Sequence, residues 1–400
     1  MPEPGGLWTL ATKVLARNPS IMKIGVIAPP WLPVPPTAYG GTEAVIDRLA
    51  RGLGRAGHDV VLAATGDSTC PVHRVATLSH HLGVAAPVSE TQHVELAYAQ
   101  LRDCDIVHDH TLYGPEYAAD AGDRRVVTTN HGEFTGEMLQ RYGRIADRVP
   151  IIAISHSQAA AAPTLPIARV IHHGVDAACY PRGTGEGGYY VFLGRMAAQK
   201  GVHRAARVAR EAGARLVIAA KMSEPLEHRY FREQVEPLLS DDVVFVGEVS
   251  ERRKLTLLAD ARALVNPIRW AEPFGLVMIE ALACGTPVLA FAEGAAPEIV
   301  DHGVTGFLCR DERDMVDRLD LVSRIERDAC RAAVRARFST ERMVRDHLEL
   351  FTQVARGEFP VSPSRVLELE PSLRPVALPL TVTDTHEELG REPVAAGGSR

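Results

Sequence analysis

Short apolar runs rich in β-branched residues alternate along the chain with stretches of helical period. In the first half they are Ile24 to Ala28, Val60 to Ala64, Ile106 to Val107, Val126 to Thr129 and Ile151 to Ile154. In the second half they are Tyr189 to Leu193, Leu216 to Ala220, Val243 to Val246, Ala263 to Asn266 and Val288 to Phe291. Such alternation predicts parallel sheets covered by helices. The glycine-rich stretch 182–188, poor in apolar residues, separates the two series and reads as an interdomain linker. Thr340 to Val354 is helix-patterned, and beyond about Arg356 the prolines at 360, 363, 371, 375 and 379 break any periodicity. The expected organisation is therefore a flexible extension (1–21), a first α/β domain (22–181), the linker (182–188), a second α/β domain (189–338), a terminal helix (339–356) and a disordered tail (357–400).

A length of 400 residues suits two domains. Apolar content of 46% and charged content of 24% are those of an ordinary globular protein. A net charge of -6 argues against a general nucleic-acid binder, although it leaves room for a local cationic pocket. The cysteines at 70, 104, 179, 284, 309 and 330 are scattered, so neither a zinc ribbon nor a disulfide framework is indicated and a reducing cytoplasm fits. No apolar run reaches the roughly 18 residues that span a bilayer, and the first residues lack the basic start and apolar core of a signal peptide.

The most informative segment runs from Glu272-Pro273-Phe274-Gly275 through Leu276 to Glu280, then into Ala281-Leu282-Ala283-Cys284-Gly285-Thr286-Pro287-Val288. It reads as a loop, a short helix closed by Gly285, and a strand. Eight helical steps of about 1.5 Å would set the two carboxylates on the order of 10 Å apart, too far to share one proton or metal ion. They are placed to hold two ends of one elongated, hydroxyl-bearing ligand. Upstream, the strand Tyr189 to Leu193 ends in Gly194-Arg195 and leads to Lys200-Gly201. In a two-domain protein of Rossmann-like halves, both segments belong at the carboxyl ends of strands, facing a cleft.

These segments resemble the signature of the family 4 retaining glycosyltransferases. The resemblance implies the GT-B fold, with two Rossmann-like domains whose parallel sheets face each other across a cleft. The first would be acceptor-side and the second would bind the nucleotide-sugar donor, with the terminal helix crossing back to the first. By the same resemblance Glu272 contacts donor-sugar hydroxyls, Glu280 binds the ribose diol, and Arg195 and Lys200 grip the diphosphate; Phe274, Gly275 and Leu276 belong to the same donor site. Fixed cations suit that task because the leaving nucleoside diphosphate gains charge as the glycosidic bond breaks. The resemblance extends over about residues 22–356, and Trp270 to Leu276 with Tyr39-Gly40-Gly41 is most similar to bacterial natural-product enzymes, including those of avilamycin assembly.

Further candidates lie at other strand ends. Gly40 and Gly41 precede a helix-patterned run with Val45, Ile46, Leu49 and Leu53 on one face, where backbone amides can approach an anion; a plain tight turn capped by Thr42 is the other reading. His131 matches the family histidine that touches the donor sugar. His108 and His110 read as metal ligands, as hydrogen-bonded cleft residues or as structural histidines, and Lys221 as a cleft cation or a solvated lysine. His172-His173-Gly174-Val175-Asp176 resembles a family turn in which Asn usually stands at the position of His173. Two patterns are set aside. Gly52 to Gly57 ends a helix where a dinucleotide loop would follow a strand, and Asp103-Cys104-Asp105 precedes its strand. The expectation is a cytoplasmic, metal-independent retaining transferase, with no cofactor beyond its nucleotide-sugar co-substrate. The acceptor would be a small molecule, glycan or lipid, the last implying peripheral membrane contact. Another GT-B activity, such as epimerisation or donor hydrolysis, and a non-catalytic sugar-nucleotide binder are the rival readings.

Overall fold

The computed structural model describes residues 21–83 and 87–358, which fall within one compact unit. The expectations for 1–21 and 357–400 lie almost wholly outside the described residues. The first sheet contains β1 (Lys23–Ile27), β2 (Asp59–Ala64), β3 (His73–Ala76), β4 (Ile106–Asp109), β5 (Val126–Thr129), β6 (Ile151–Ala153) and β7 (Ile167–Val170), in the order β3-β2-β1-β4-β5-β6-β7. The second contains β8 (Tyr190–Arg195), β9 (Leu216–Lys221), β10 (Val243–Phe245), β11 (Leu264–Asn266), β12 (Val288–Phe291) and β13 (Gly306–Cys309), in the order β10-β9-β8-β11-β12-β13. Every pairing is parallel, and in both sheets the strand order reverses beside the first strand of its lobe. That reversal opens a crevice at the carboxyl ends, where ligands bind in open α/β sheets. The architecture is GT-B.

The helix Gly41–Arg55 buries the stripe Val45, Ile46, Leu49 and Leu53 against Ile24 and Val26 of β1, as its period requires. The helix Thr340–Ala355 adds Met343, Val344, Leu350 and Phe351 to this same first-lobe core. Ser339 caps it, its hydroxyl accepting from Arg342 N–H. Gly52 allows the two helices to touch, since a Cβ there would lie 2.5 Å from Val344 Cγ2. Among the described residues, no helix is long and apolar enough to cross a membrane.

Three strands escape the apolar-run reading: β3, β7 and β13, all at the flanks of their sheets. The segment 182–188 does not hang free. Gly183 N–H donates to Cys284 O and Gly187 N–H to Asp260 O, while Arg327 Nε donates to Gly183 O. A Cβ on Gly183 would lie 2.0 Å from Ala259 O, so this stretch is fastened to the second lobe. The chain crosses between lobes a second time near Ser339, and there it pairs with the first crossing. Val175 N–H donates to Phe338 O and Thr340 N–H to Val175 O.

Candidate active site

A cleft of about 710 Å³ runs between the lobes, lined by the loop before the Gly41–Arg55 helix, by that helix's first turns and by the strand ends of the second lobe. Gly275 closes the Pro273-Phe274-Gly275 turn in the left-handed region (φ 92°), and the helix Leu276–Ala283 starts immediately after it. The separation expected for Glu272 and Glu280 assumed helix throughout, but only the stretch from Leu276 is helical. Pro273 and the left-handed Gly275 stop helix from extending back to Glu272. The two carboxylates still serve separate partners.

Glu280 sits among cations. Its Oε1 accepts from Arg48 Nη2 at 3.0 Å and from Tyr180 OH at 3.3 Å, and its Oε2 from Lys254 Nζ at 3.0 Å. Burial alone would push its carboxyl up, but Lys254 and Arg48 carry it below the usual value, so it is an anion. Arg48 belongs to the first lobe, which makes this pair a tie across the cleft. Glu272 pairs with Lys200 Nζ at 2.6 Å through Oε1, while its buried Oε2 has no partner. Lys200 ends a short 3₁₀ turn (Ala198–Lys200) and is also 5.3 Å from the Trp270 ring. The following Gly201 (φ 76°) leaves no space for a side chain, because a Cβ would lie 2.3 Å from Pro267 O. Arg195, the last residue of β8, lies 3.3 Å from Glu227 Oε1. Lys221, the last residue of β9, faces the Tyr39 ring at 5.8 Å, and Tyr39 N–H donates to Glu248 Oε1 of the second lobe.

On the first-lobe side, His131 follows β5 and lines the cleft. Its Nε2 meets His110 Nδ1 at 2.8 Å, and its ring stacks on His173 at 5.3 Å between centroids. Burial, then His347, lower its pKa to about 3, so the ring is neutral. His108 and His110 do not reach the cleft. They stand behind His131, with His108 Nε2 bonded to Thr129 Oγ1 at 2.7 Å, and they form part of a buried row that continues to His347. Gly40 and Gly41 end the first-lobe loop, and a Cβ on Gly41 would touch Leu276 Cδ1 at 3.3 Å, so the start of the Gly41–Arg55 helix meets the start of the Leu276–Ala283 helix. Phe274 is buried, with its ring 4.9 Å from His173.

The cleft therefore brings together His131, Arg195, Lys200, Lys221, Glu272 and Glu280 with Gly40, Gly41, Gly275 and Leu276. Sequence reasoning missed Arg48, Tyr180, Lys254 and Glu227, the partners of those residues. It also missed Glu43, a cleft carboxyl that burial pushes up to about 7. Glu227 is half-announced by the capping box that Glu224 and Glu227 form on the helix Pro225–Tyr230.

Two family models match: Glycosyltransferase Family 4 over residues 39–178 and Glycosyl transferases group 1 over residues 184–340. Glycogen synthase of Mycobacterium tuberculosis is 32% identical over 203 residues, covering 46% of this chain and 46% of its own length. The first curated relatives are matched over only 33% and 46% of their lengths. Among solved structures, AviGT4, a glycosyltransferase involved in avilamycin A biosynthesis, is 25% identical with a TM-score of 0.63, covering 84% of this chain and 98% of that one. The Anabaena protein Alr3699/HepE, solved with UDP-glucose, shares the fold at 18% identity and a TM-score of 0.67, covering 83% and 100%. With one model on each lobe and the cleft residues in place between them, the chain belongs to the family 4 glycosyltransferases of GT-B fold.

Proposed function

We propose that the protein is a retaining glycosyltransferase that moves a sugar from a nucleotide-diphosphate sugar to a hydroxyl of a small-molecule, glycan or lipid acceptor, without a divalent metal. The observation that carries this reading is an ionised Glu280, held by Arg48 and Lys254, in the same cleft as Arg195, Lys200 and Glu272. A fixed carboxylate accepts both hydroxyls of a ribose diol, and two cations at strand ends match a diphosphate.

The proposed diphosphate cations face carboxylates: Lys200 pairs with Glu272, and Arg195 lies beside Glu227. An entering diphosphate takes over Lys200, and both oxygens of Glu272 then become available to sugar hydroxyls. The amides at Gly40 and Gly41, with the positive end of a 15-residue helix behind them, add to the field. As the bond from the sugar's anomeric carbon to the phosphate oxygen breaks, the electron pair leaves with the diphosphate. The acceptor oxygen bonds to the same face, and its proton passes to the departing phosphate oxygen. Neutral His131 supplies a hydrogen bond to the sugar and no competing charge. The free thiols, five buried and Cys179 exposed, suit a reducing cytoplasm.

UDP-glucose, carried by the Anabaena structure, is the first donor to try. A transferase consumes donor faster when acceptor extract is added and gives a product whose NMR coupling constants keep the donor's anomeric configuration. Donor loss indifferent to acceptor marks a hydrolase or epimerase, and binding without donor loss marks a non-catalytic protein.

A further inference from the structure

Away from the cleft lining, His156, His172 and Glu298 converge at the junction of the lobes. One ligand atom of each lies within 4.8 Å of the others. His172 Nε2 is 2.7 Å from Glu298 Oε2, and the His156 and His172 rings stand 5.7 Å apart at 77°. His156 opens the short helix His156–Ala160 and His172 follows β7, both in the first lobe, whereas Glu298 sits on the short helix Ala296–Ile299 of the second. The Glu298 carboxylate is aimed by two amides: His156 N–H donates to Oε2 at 2.9 Å and Ser157 N–H to Oε1 at 2.7 Å. Phe274 and Phe338 wall one side, 5.8 and 5.7 Å from the His172 ring. The His172 and Glu298 side chains keep 21% and 14% exposure, so an ion can enter from solvent. Among the described residues, the His156 ring has no hydrogen-bonded partner, although its backbone amide has one.

We infer that His156, His172 and Glu298 form a binding site for a divalent transition metal, suited to zinc, that clasps the two lobes together. Two imidazoles, a carboxylate and a fourth position for water are a donor set that zinc favours over magnesium or calcium. Bringing the three atoms to the roughly 3.3 Å edges of a tetrahedron with bonds of about 2 Å is within reach of side-chain rotation. When the ion takes His172 Nε2, the ring carries its proton on Nδ1, and the amides on Glu298 act as the outer contacts that orient a ligand. His172 lies three positions before Val175, where the two crossings pair, so the ion ties the lobes beside their connection. Such a tie resists cleft opening, and opening or product release limits turnover in many enzymes. Zinc here is therefore a brake on turnover and takes no part in the chemistry.

The test uses untagged full-length protein and Co²⁺ as a visible stand-in for zinc. Wild-type protein should develop the intense absorption of four-coordinate Co²⁺ at one equivalent, bleached by Zn²⁺. Both His156→Ala and Glu298→Gln should weaken that binding about tenfold or more. Zn²⁺ should also raise the melting temperature of wild type but not of His156→Ala, whose metal-free melting reports that it is folded. An absent Co²⁺ band, or a band and a zinc-induced stabilisation that persist unchanged in the folded His156→Ala variant, would overturn the assignment. Neither outcome bears on the proposed transfer, because none of these residues lines the cleft.

Discussion

The charged pairs of the second-lobe wall and the histidine row of the first lobe keep their polar groups in opposite states. On the second-lobe wall they are charged and paired: Lys200 with Glu272, Arg195 beside Glu227, Lys254 with Glu280. In and behind the first-lobe wall the histidines are neutral: the rings of His347, His108, His110, His131 and His173 follow one another at 5.1, 3.9, 5.1 and 5.3 Å. Burial drives all five below their ordinary pKa. A diphosphate whose charge is growing needs cations that can change partners, and paired ions provide that exchange. A passing sugar ring needs hydrogen bonds that do not trap the anion beside it, and neutral imidazoles provide those.

Removing a cation from the charged wall should have the largest effect. Lys200→Ala should lower turnover on the order of a hundredfold or more, as loss of one preorganised electrostatic group commonly does. A rate within a few-fold of wild type would mean the diphosphate lies elsewhere. The two glutamates should then part company. Glu280→Gln leaves Arg48 without its carboxylate partner and Lys254 with Glu251 alone, and removes the proposed ribose acceptor, so free nucleotide diphosphate should bind more weakly by about 1.5 to 3 kcal/mol. Glu272→Ala releases Lys200 and should bind free nucleotide at least as tightly as wild type while turning over more slowly. Equal losses of nucleotide affinity in calorimetry contradict that division.

The neutral wall is probed by pH. Each of the five imidazoles is uncharged when folded but takes a proton near 6.5 when the chain unfolds. Below that pH the unfolded state binds more protons, so stability falls on acidification, by up to about 1.4 kcal/mol per pH unit for each histidine. The window runs down to about 4 for His347 and about 3 for His131. Glu43 and Glu90, raised by burial to about 7, act in the opposite direction, since folding favours their protonated form, and they offset part of the loss. The denaturant midpoint should therefore fall between about pH 6.5 and 5.5, and His131→Asn should flatten the slope. A midpoint indifferent to this change would mean the row is charged when folded. The smallest effect belongs to chelation: EDTA should leave the transfer rate nearly unchanged or raise it slightly, whereas abolition restored by magnesium would show that the cations do not suffice.

What could be read from the sequence is what is written locally. The central strands announce themselves because both their faces are buried, so Ile24 to Ala28 and Val288 to Phe291 are unbroken apolar runs. β3, with the sequence His-Arg-Val-Ala and largely exposed, is an edge strand whose pairing is set by its neighbour. In the site, Glu272, Glu280, Arg195 and Lys200 stand in contiguous motifs. Arg48 reads like any polar residue on an amphipathic helix, and its purpose appears only with Glu280, 232 positions away. Tyr180 is 100 positions from the same carboxylate. The histidine row was half visible, as strand-end histidines, but its neutrality follows from burial that only the packed Thr340–Ala355 helix with His347 and Phe351 completes.

The pairing of Val175 with Ser339 has a mechanical side. Gly174 sits so close to the returning strand that a Cβ there would lie 2.5 Å from Ser339 O, so the two connectors touch along their backbones. Two ribbons laid together at one place behave as the spine of a book. The covers can swing about the spine, but they cannot slide past one another without breaking its short ladder of backbone hydrogen bonds. Arg48 and Glu280 then face each other as a clasp on the covers' inner pages, and a swing that parts them also takes Glu280, the proposed ribose acceptor, away from its first-lobe partner. The shape of the connection thus favours hinging over sliding of the lobes, and hinging would change the proposed nucleotide grip and the aperture together.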